Sequence, residues 1–256
     1  MAIYDRPTRL IIRDMIAELA PSNESKFSRS DALNWFAKNY PKLQEGTITA
    51  HLYRFSTNAP SRLSHPTRAD EDILFQIDKN NYRLYQPNVD PTPINAGSEK
   101  NVSLGNQVSL EDEEDDVYAP REFAYESDLK NFLAKNLTVI EPGLKLYQVE
   151  DINGIEFPAD GRFIDILAID SNNDLVVIEL KVSKGHERVI GQILRYMAWI
   201  QFNQAESNQK VRGVIVARDI SKDLKLACSY LPNVDLFEYK LSVELSKVEI
   251  DLIRDF

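Results

Sequence analysis

Scarcity sets the first limits on this chain. One cysteine, Cys228, stands among 256 residues, so an internal disulfide and a cysteine-built zinc site are both excluded. It falls in an apolar helical stretch and reads as core. The three histidines, His51, His65 and His186, are scattered, with no cysteine or histidine cluster around them. No apolar run approaches the roughly 18 residues that a membrane span needs. The opening residues 1–15 mix acids and bases with apolar side chains, unlike a signal peptide. A cytoplasmic protein with no membrane partner is the expectation. No internal repeat is evident. Basic residues are in deficit: 30 lysines and arginines face 40 aspartates and glutamates, a formal net charge of −10. Taken over the whole chain, that balance argues against nucleic acid.

The distribution of charge softens the objection. Residues 1–92 carry 12 basic and 11 acidic side chains, residues 93–120 carry 1 and 7, and residues 121–256 carry 17 and 22. More than half of the excess acid sits in one short segment. That segment is polar, lacks periodicity and contains the run Glu111–Asp116, so it reads as a self-repelling, extended linker. An alternative is an acidic mimic of DNA that covers a basic groove. The chain therefore divides into residues 1–92, an acidic linker 93–120 and a second domain, residues 121–256.

What is present is organised around Gly161–Lys181. Two apolar, β-branched runs, Phe163–Ile169 and Leu175–Val182, flank Ser171-Asn172-Asn173-Asp174, which predicts a hairpin. Nearly every position is apolar, so both strands should be buried on both faces. Asp165, Glu179 and Lys181 interrupt the pattern. An ionised side chain in a buried strand costs several kcal/mol unless paired or metal-bound. Glu179 and Lys181 share a strand face, and pairing about Asn172-Asn173 puts Asp165 nearly opposite them. Two carboxylates with an ammonium beside them suit a hard divalent cation. A buried salt bridge is the plainer alternative.

The N-terminal residues show a different pattern. Arg6–Leu19 carries a helical stripe of Leu10, Ile11, Met15, Ile16 and Leu19, closed by Pro21. Asp31–Tyr40, capped by Ser28 or Ser30, and Ile48–Phe55 follow as helices. Ile73–Ile77 and Tyr82–Tyr85 then form a hairpin with the polar tip Asp78–Asn81. Three helices and a hairpin are the order of a winged helix-turn-helix, whose third helix enters the major groove. Thr47, Thr49, Ala50, Tyr53 and Arg54 are expected on the exposed face of that helix, and Lys79, Asn80, Asn81 and Arg83 at the wing. Such groups suit base edges and phosphates of double-stranded DNA. A winged helix used for dimerisation is the alternative.

Beyond residue 121, helices at Phe123–Leu137, His186–Phe202 and Lys222–Tyr230 alternate with strands at Leu144–Val149, Val211–Ala217 and Val234–Val243. That alternation predicts a mixed sheet with helices on its faces. The fold class is α/β: a winged helix-turn-helix followed by a mixed sheet flanked by helices.

Asp165 with Glu179-Leu180-Lys181 resembles the PD-(D/E)XK nuclease signature, which implies a restriction-endonuclease-like form for that mixed sheet. Gly161–Ala168 and Gly191-Gln192-Ile193-Leu194-Arg195-Tyr196-Met197 are similar to the nuclease domain of the NucS/EndoMS endonucleases, and the N-terminal part resembles the winged helices beside prokaryotic restriction nucleases. The resemblance implies that Asp165, Glu179 and the Leu180 carbonyl hold Mg²⁺ or Mn²⁺. Lys181 would orient or deprotonate water, Gln192 would complete the site, and Glu126 would reach the metal directly or through water. It implies a DNA endonuclease, here expected to restrict foreign or modified DNA. The alternatives are mismatch- or structure-directed repair, and an inactive DNA-binding regulator. Cutting both strands of a duplex suits a homodimer.

Overall fold

The computed structural model describes residues 4–63, 65, 67–95, 120–185 and 188–240. Most of the expected linker, and the end of the late strand expected at Val234–Val243, lie outside the described residues.

Helix α1 (Thr8–Leu19) buries Ile11, Ile12, Met15 and Ile16 on one stripe. A three-residue strand, β1 (Lys26–Ser28), leads into α2 (Arg29–Asn39). Ser28 caps α2 reciprocally: its hydroxyl accepts from the Asp31 amide at 3.1 Å, and the Asp31 carboxylate accepts from the Ser28 amide at 2.8 Å. Such a cap contributes about 1 kcal/mol. Helix α3 (Glu45–Phe55) starts three residues before the expected Ile48, so Gly46 and Thr47 lie inside it. The hairpin strands are β2 (Leu74–Gln76) and β3 (Asn81–Leu84). Strand β1 adds to β3 to give a sheet in the order β1-β3-β2. Three residues are too few for an alternating pattern to show in sequence. Phe36, Leu52, Phe55, Leu74 and Tyr82 fill this core.

Helix α4 (Pro120–Lys135) precedes four short strands, β4 (Lys145–Leu146), β5 (Gln148–Val149), β6 (Ile152–Asn153) and β7 (Ile155–Ala159). Then come β8 (Arg162–Ile169), β9 (Leu175–Gly185), α5 (Arg188–Asn203), β10 (Val211–Ile220), α6 (Lys222–Cys228) and β11 (Val234–Glu238). The main sheet runs β11-β10-β9-β8-β4, with β7 also on β8. Strands β8 and β9 are antiparallel; β9, β10 and β11 are mutually parallel, with α5 and α6 as crossovers. The expected strand Leu144–Val149 is split at Tyr147, whose amide instead donates to the Leu167 carbonyl. Pro158 is tolerated because β7 is an edge strand.

Both faces of β9 are covered, which explains its unbroken apolar run. Val176, Ile178 and Leu180 pack towards Leu129 and Leu133 of α4. Leu175 and Val177 pack towards Ile193, Tyr196 and Ile200 of α5. Cys228 is buried in that second layer, as expected. Among the described residues no helix is long and apolar enough to cross a membrane.

The exposed face expected on the third helix is corrected by the structure. Thr47 and Thr49 are 2% and 1% exposed, and Ala50 and Tyr53 are also buried. The Gln204 amide reaches the Thr47 hydroxyl at 3.3 Å and the Tyr147 hydroxyl at 2.6 Å. Ala50 joins the apolar layer of α5. Arg54 pairs with Glu71 at 3.0 Å and donates to the Asp151 carbonyl at 3.1 Å. The physical reason is a second stripe. Ile48, Leu52 and Phe55 enter the N-terminal core, while Thr47, Ala50 and Tyr53 repeat at the same helical spacing on the other side. Gly46 permits the close approach, since a Cβ there would lie 2.3 Å from Gln204 Oε1.

Candidate active site

The β8–β9 ladder ends at Ile166 opposite Ile178, and the charged residues lie just past that pair. Continuing the register sets Asp165 against Glu179. On its other side, the pairs Ile155–Ile166 and Phe157–Ile164 set Glu156 of β7 against Asp165. Three carboxylates thus cross the sheet in one row.

Each has a distinct environment. Asp165 Oδ2 accepts the Leu180 amide at 2.9 Å, while Oδ1 faces Lys130 Nζ at 3.7 Å. Glu179 is 2% exposed; its Oε1 takes Lys181 Nζ at 3.0 Å, and its Oε2 has no partner. Burial, with the Asp165 charge adding to it, pushes the Glu179 carboxyl up to about 8. Burial also raises Asp165, against the pull of Lys130. Glu126 on α4 is raised by burial and then by Asp165. Burial lowers the Lys181 ammonium, but the neighbouring Glu179, and then Asp165, outweigh it and leave the group raised.

The catalytic residues predicted from sequence come from four elements. Strands β8 and β9 bring Asp165, Glu179 and Lys181, and α4 brings Glu126 within electrostatic reach. Gln192 of α5 donates to the Tyr196 hydroxyl at 3.5 Å; Tyr196 in turn feels Glu179 and Asp165. Lys130, Glu156 and Tyr196 were not singled out from sequence. A signal existed for two of them: Lys130 and Tyr196 each stand one helical turn past a predicted residue, Glu126 and Gln192.

A divalent cation fits these donors. Glu179 Oε2 is a buried acceptor without a partner, a costly state that a cation would relieve. Among the described residues no three histidine, cysteine, aspartate or glutamate side chains converge as a metal cage. Two carboxylates and a main-chain carbonyl suit Mg²⁺, which keeps several waters of its own.

The hairpin tip expected to contact DNA is built differently from expectation. Asp78 Oδ1 accepts the Asn80 and Asn81 amides, and the Asn81 side chain donates to the same carboxylate, so Asn81 shapes the tip. Arg83 is held by Asp90 and lies 4.5 Å over the Phe75 ring. Lys79 and Asn80 are exposed, and Lys79 lies beside the Gly161 turn that opens β8.

Residues 125–229 match the family described as the endonuclease NucS C-terminal domain. The C-terminal domain is NucS-like. Residues 7–84 match a separate domain of unknown function, DUF7669. The endonuclease NucS of Pyrococcus abyssi is 29% identical over 101 residues, 39% of this chain and 36% of its own. That of Pyrococcus furiosus is 28% identical over 125 residues, 48% of this chain and 39% of its own. Among solved structures, a repair endonuclease from Pyrococcus abyssi is 24% identical, with TM-score 0.37, over 50% of this chain and 49% of that one. An EndoMS–double-stranded DNA complex is 24% identical, with TM-score 0.38, over 46% of each chain. The match thus spans under half the length of these curated relatives. Asp165, Glu179, Lys181 and Gln192 all fall inside the NucS-like segment.

Proposed function

We propose that the protein is a divalent-cation-dependent DNA endonuclease of the repair type. The carrying observation is Asp165, Glu179 and Lys181 meeting at the splayed end of β8 and β9, with Glu179 Oε2 buried and unpartnered. In this reading Asp165, Glu179 and the Leu180 carbonyl hold Mg²⁺ or Mn²⁺, with Glu126 behind them. The cation supplies charge stabilisation at the scissile phosphate and acidifies water. Lys181 orients that water and steadies the charge that develops as it attacks. Gln192, braced on Tyr196, closes the site from α5. Lys79 and Asn80 hold the phosphate backbone.

The restriction reading relies on an exposed third helix that reads bases. In a winged-helix reading of residues 1–92 that helix is α3, and its outward face is buried against the second domain. This favours recognition of DNA shape or mismatch over a sequence read by α3. Cutting both strands would take two copies of the chain.

The test is cleavage of plasmid, host-modified plasmid and mismatched duplexes with and without Mg²⁺ or Mn²⁺. The expected result is metal-dependent cutting concentrated on mismatched duplexes and lost in Asp165→Ala. Cutting of unmodified plasmid at fixed sequences would restore the restriction reading. No cutting of any substrate would leave a DNA-binding regulator.

A further inference from the structure

The row of carboxylates contains a lysine that the proposed chemistry does not use. Lys130 sits on α4, one turn after Glu126, with its side chain only 13% exposed. Its Nζ lies 2.6 Å from Glu156 Oε1 and 3.7 Å from Asp165 Oδ1. Glu156 stands opposite Asp165 on β7 and takes φ 45°, a left-handed conformation uncommon for a non-glycine residue. Strain of that kind persists where the surroundings over-determine it. Asp165 Oδ2 already accepts the Leu180 amide, so Oδ1, the oxygen facing Lys130, is the more open of the two to a cation.

We infer that Lys130 is a positioning residue which acts as the counter-ion of Asp165 before a divalent cation arrives, and that Glu156 holds its ammonium aside when the cation binds. The inference rests on the cation-site reading above. Without Lys130, Asp165 and Glu156 would face each other with no positive charge between them. With Lys130 but without Glu156, the ammonium would swing towards Asp165 and compete for it. Like charges repel strongly at this depth, so the ammonium and a divalent cation cannot both close on the same oxygen. Glu156 resolves that conflict at the shorter distance.

The two side chains of the pair therefore make opposite predictions, which a merely structural role does not. Mn²⁺ binding to the full chain without DNA would be measured by electron paramagnetic resonance at fixed pH. Thermal melting would show that each variant is folded. Lys130→Met should bind Mn²⁺ about five- to ten-fold more tightly than the unaltered chain, and Glu156→Gln about five- to ten-fold more weakly, from the changed charge beside Asp165. Lys130→Arg should stay near the unaltered affinity. Shifts of the same sign in Lys130→Met and Glu156→Gln, or no shift in either, would overturn the inference while leaving the cation site standing. Absence of Mn²⁺ binding in the unaltered chain would overturn the cation site, and the inference with it.

Discussion

The rings of Tyr53 and Phe163 meet edge-on, with centroids 5.2 Å apart and planes at 68°. Tyr53 belongs to α3 and Phe163 lies two residues before Asp165, so the N-terminal part braces the strand that carries the candidate site.

That brace can be separated from a DNA-reading role. Tyr53→Ala should lower stability by about 3 kcal/mol, as for other buried aromatic truncations. Arg54→Ala should cost about as much, because it leaves the buried Glu71 carboxylate without its guanidinium. Urea unfolding of the full chain checks both. A base-reading role would instead leave stability intact and flatten discrimination between duplexes.

At the site itself, Asp165→Ala and Glu179→Ala should lose both divalent-cation binding and cleavage. Lys181→Ala should cut turnover by about 100-fold or more while DNA affinity changes by less than about three-fold, since its proposed work is on water. Single-turnover cleavage and a binding titration on one mismatched duplex separate the two effects.

Glu179 also predicts a pH signature in the cation-free chain. Its carboxyl is raised from 4.5 to about 8 in the folded state, so the folded chain holds that proton more tightly than the unfolded chain. The stabilisation is therefore full below pH 4.5 and is lost as pH rises towards 8. Glu179→Gln removes the effect, so its melting temperature relative to the unaltered chain should climb across that window and then level off. Adding Mg²⁺ at pH 8 should raise the melting temperature of the unaltered chain and not that of the variant.

His51 gives the opposite slope. It is 0% exposed on α3, with neither ring nitrogen partnered. Burial, with Arg54 adding to it, lowers the ring from 6.5 to about 3. The unfolded chain takes up the proton first, so stability should fall as pH drops from 6.5 towards 3. His51→Leu should weaken that acid sensitivity, as read from melts at pH 4 and pH 7.

Much of this was legible beforehand because the two halves obey simple periods. The stripe on α1, and a cap at Ser28 or Ser30 for α2, gave helix positions to within a few residues. The unbroken run from Leu175 announced a strand covered on both sides, and Asp165 and Glu179 stood out as charges within such runs. The outward face of α3 misled for a physical reason: threonine, tyrosine and arginine suit a DNA groove and a polar protein interface equally well. Only the partner surface, built from Tyr147, Asp151 and Gln204 far along the chain, distinguishes the two. Glu156 escaped notice because β7 is short, and because its pairing with Asp165 depends on a strand register that sequence does not fix.

The lock between Thr47 and Gln204 spans 157 residues of sequence. During synthesis α3 can settle on its own core as soon as the first hairpin has emerged, but its other side must wait for Gln204. At ordinary elongation speeds the delay is about 6–24 s. Until Phe163 and then Gln204 have emerged, Tyr53 and Thr47 stand uncovered on a nascent chain, open to chaperones or to another ribosome's product. Slowed translation between the two positions should therefore lower the soluble yield, even though no residue of the finished protein has changed.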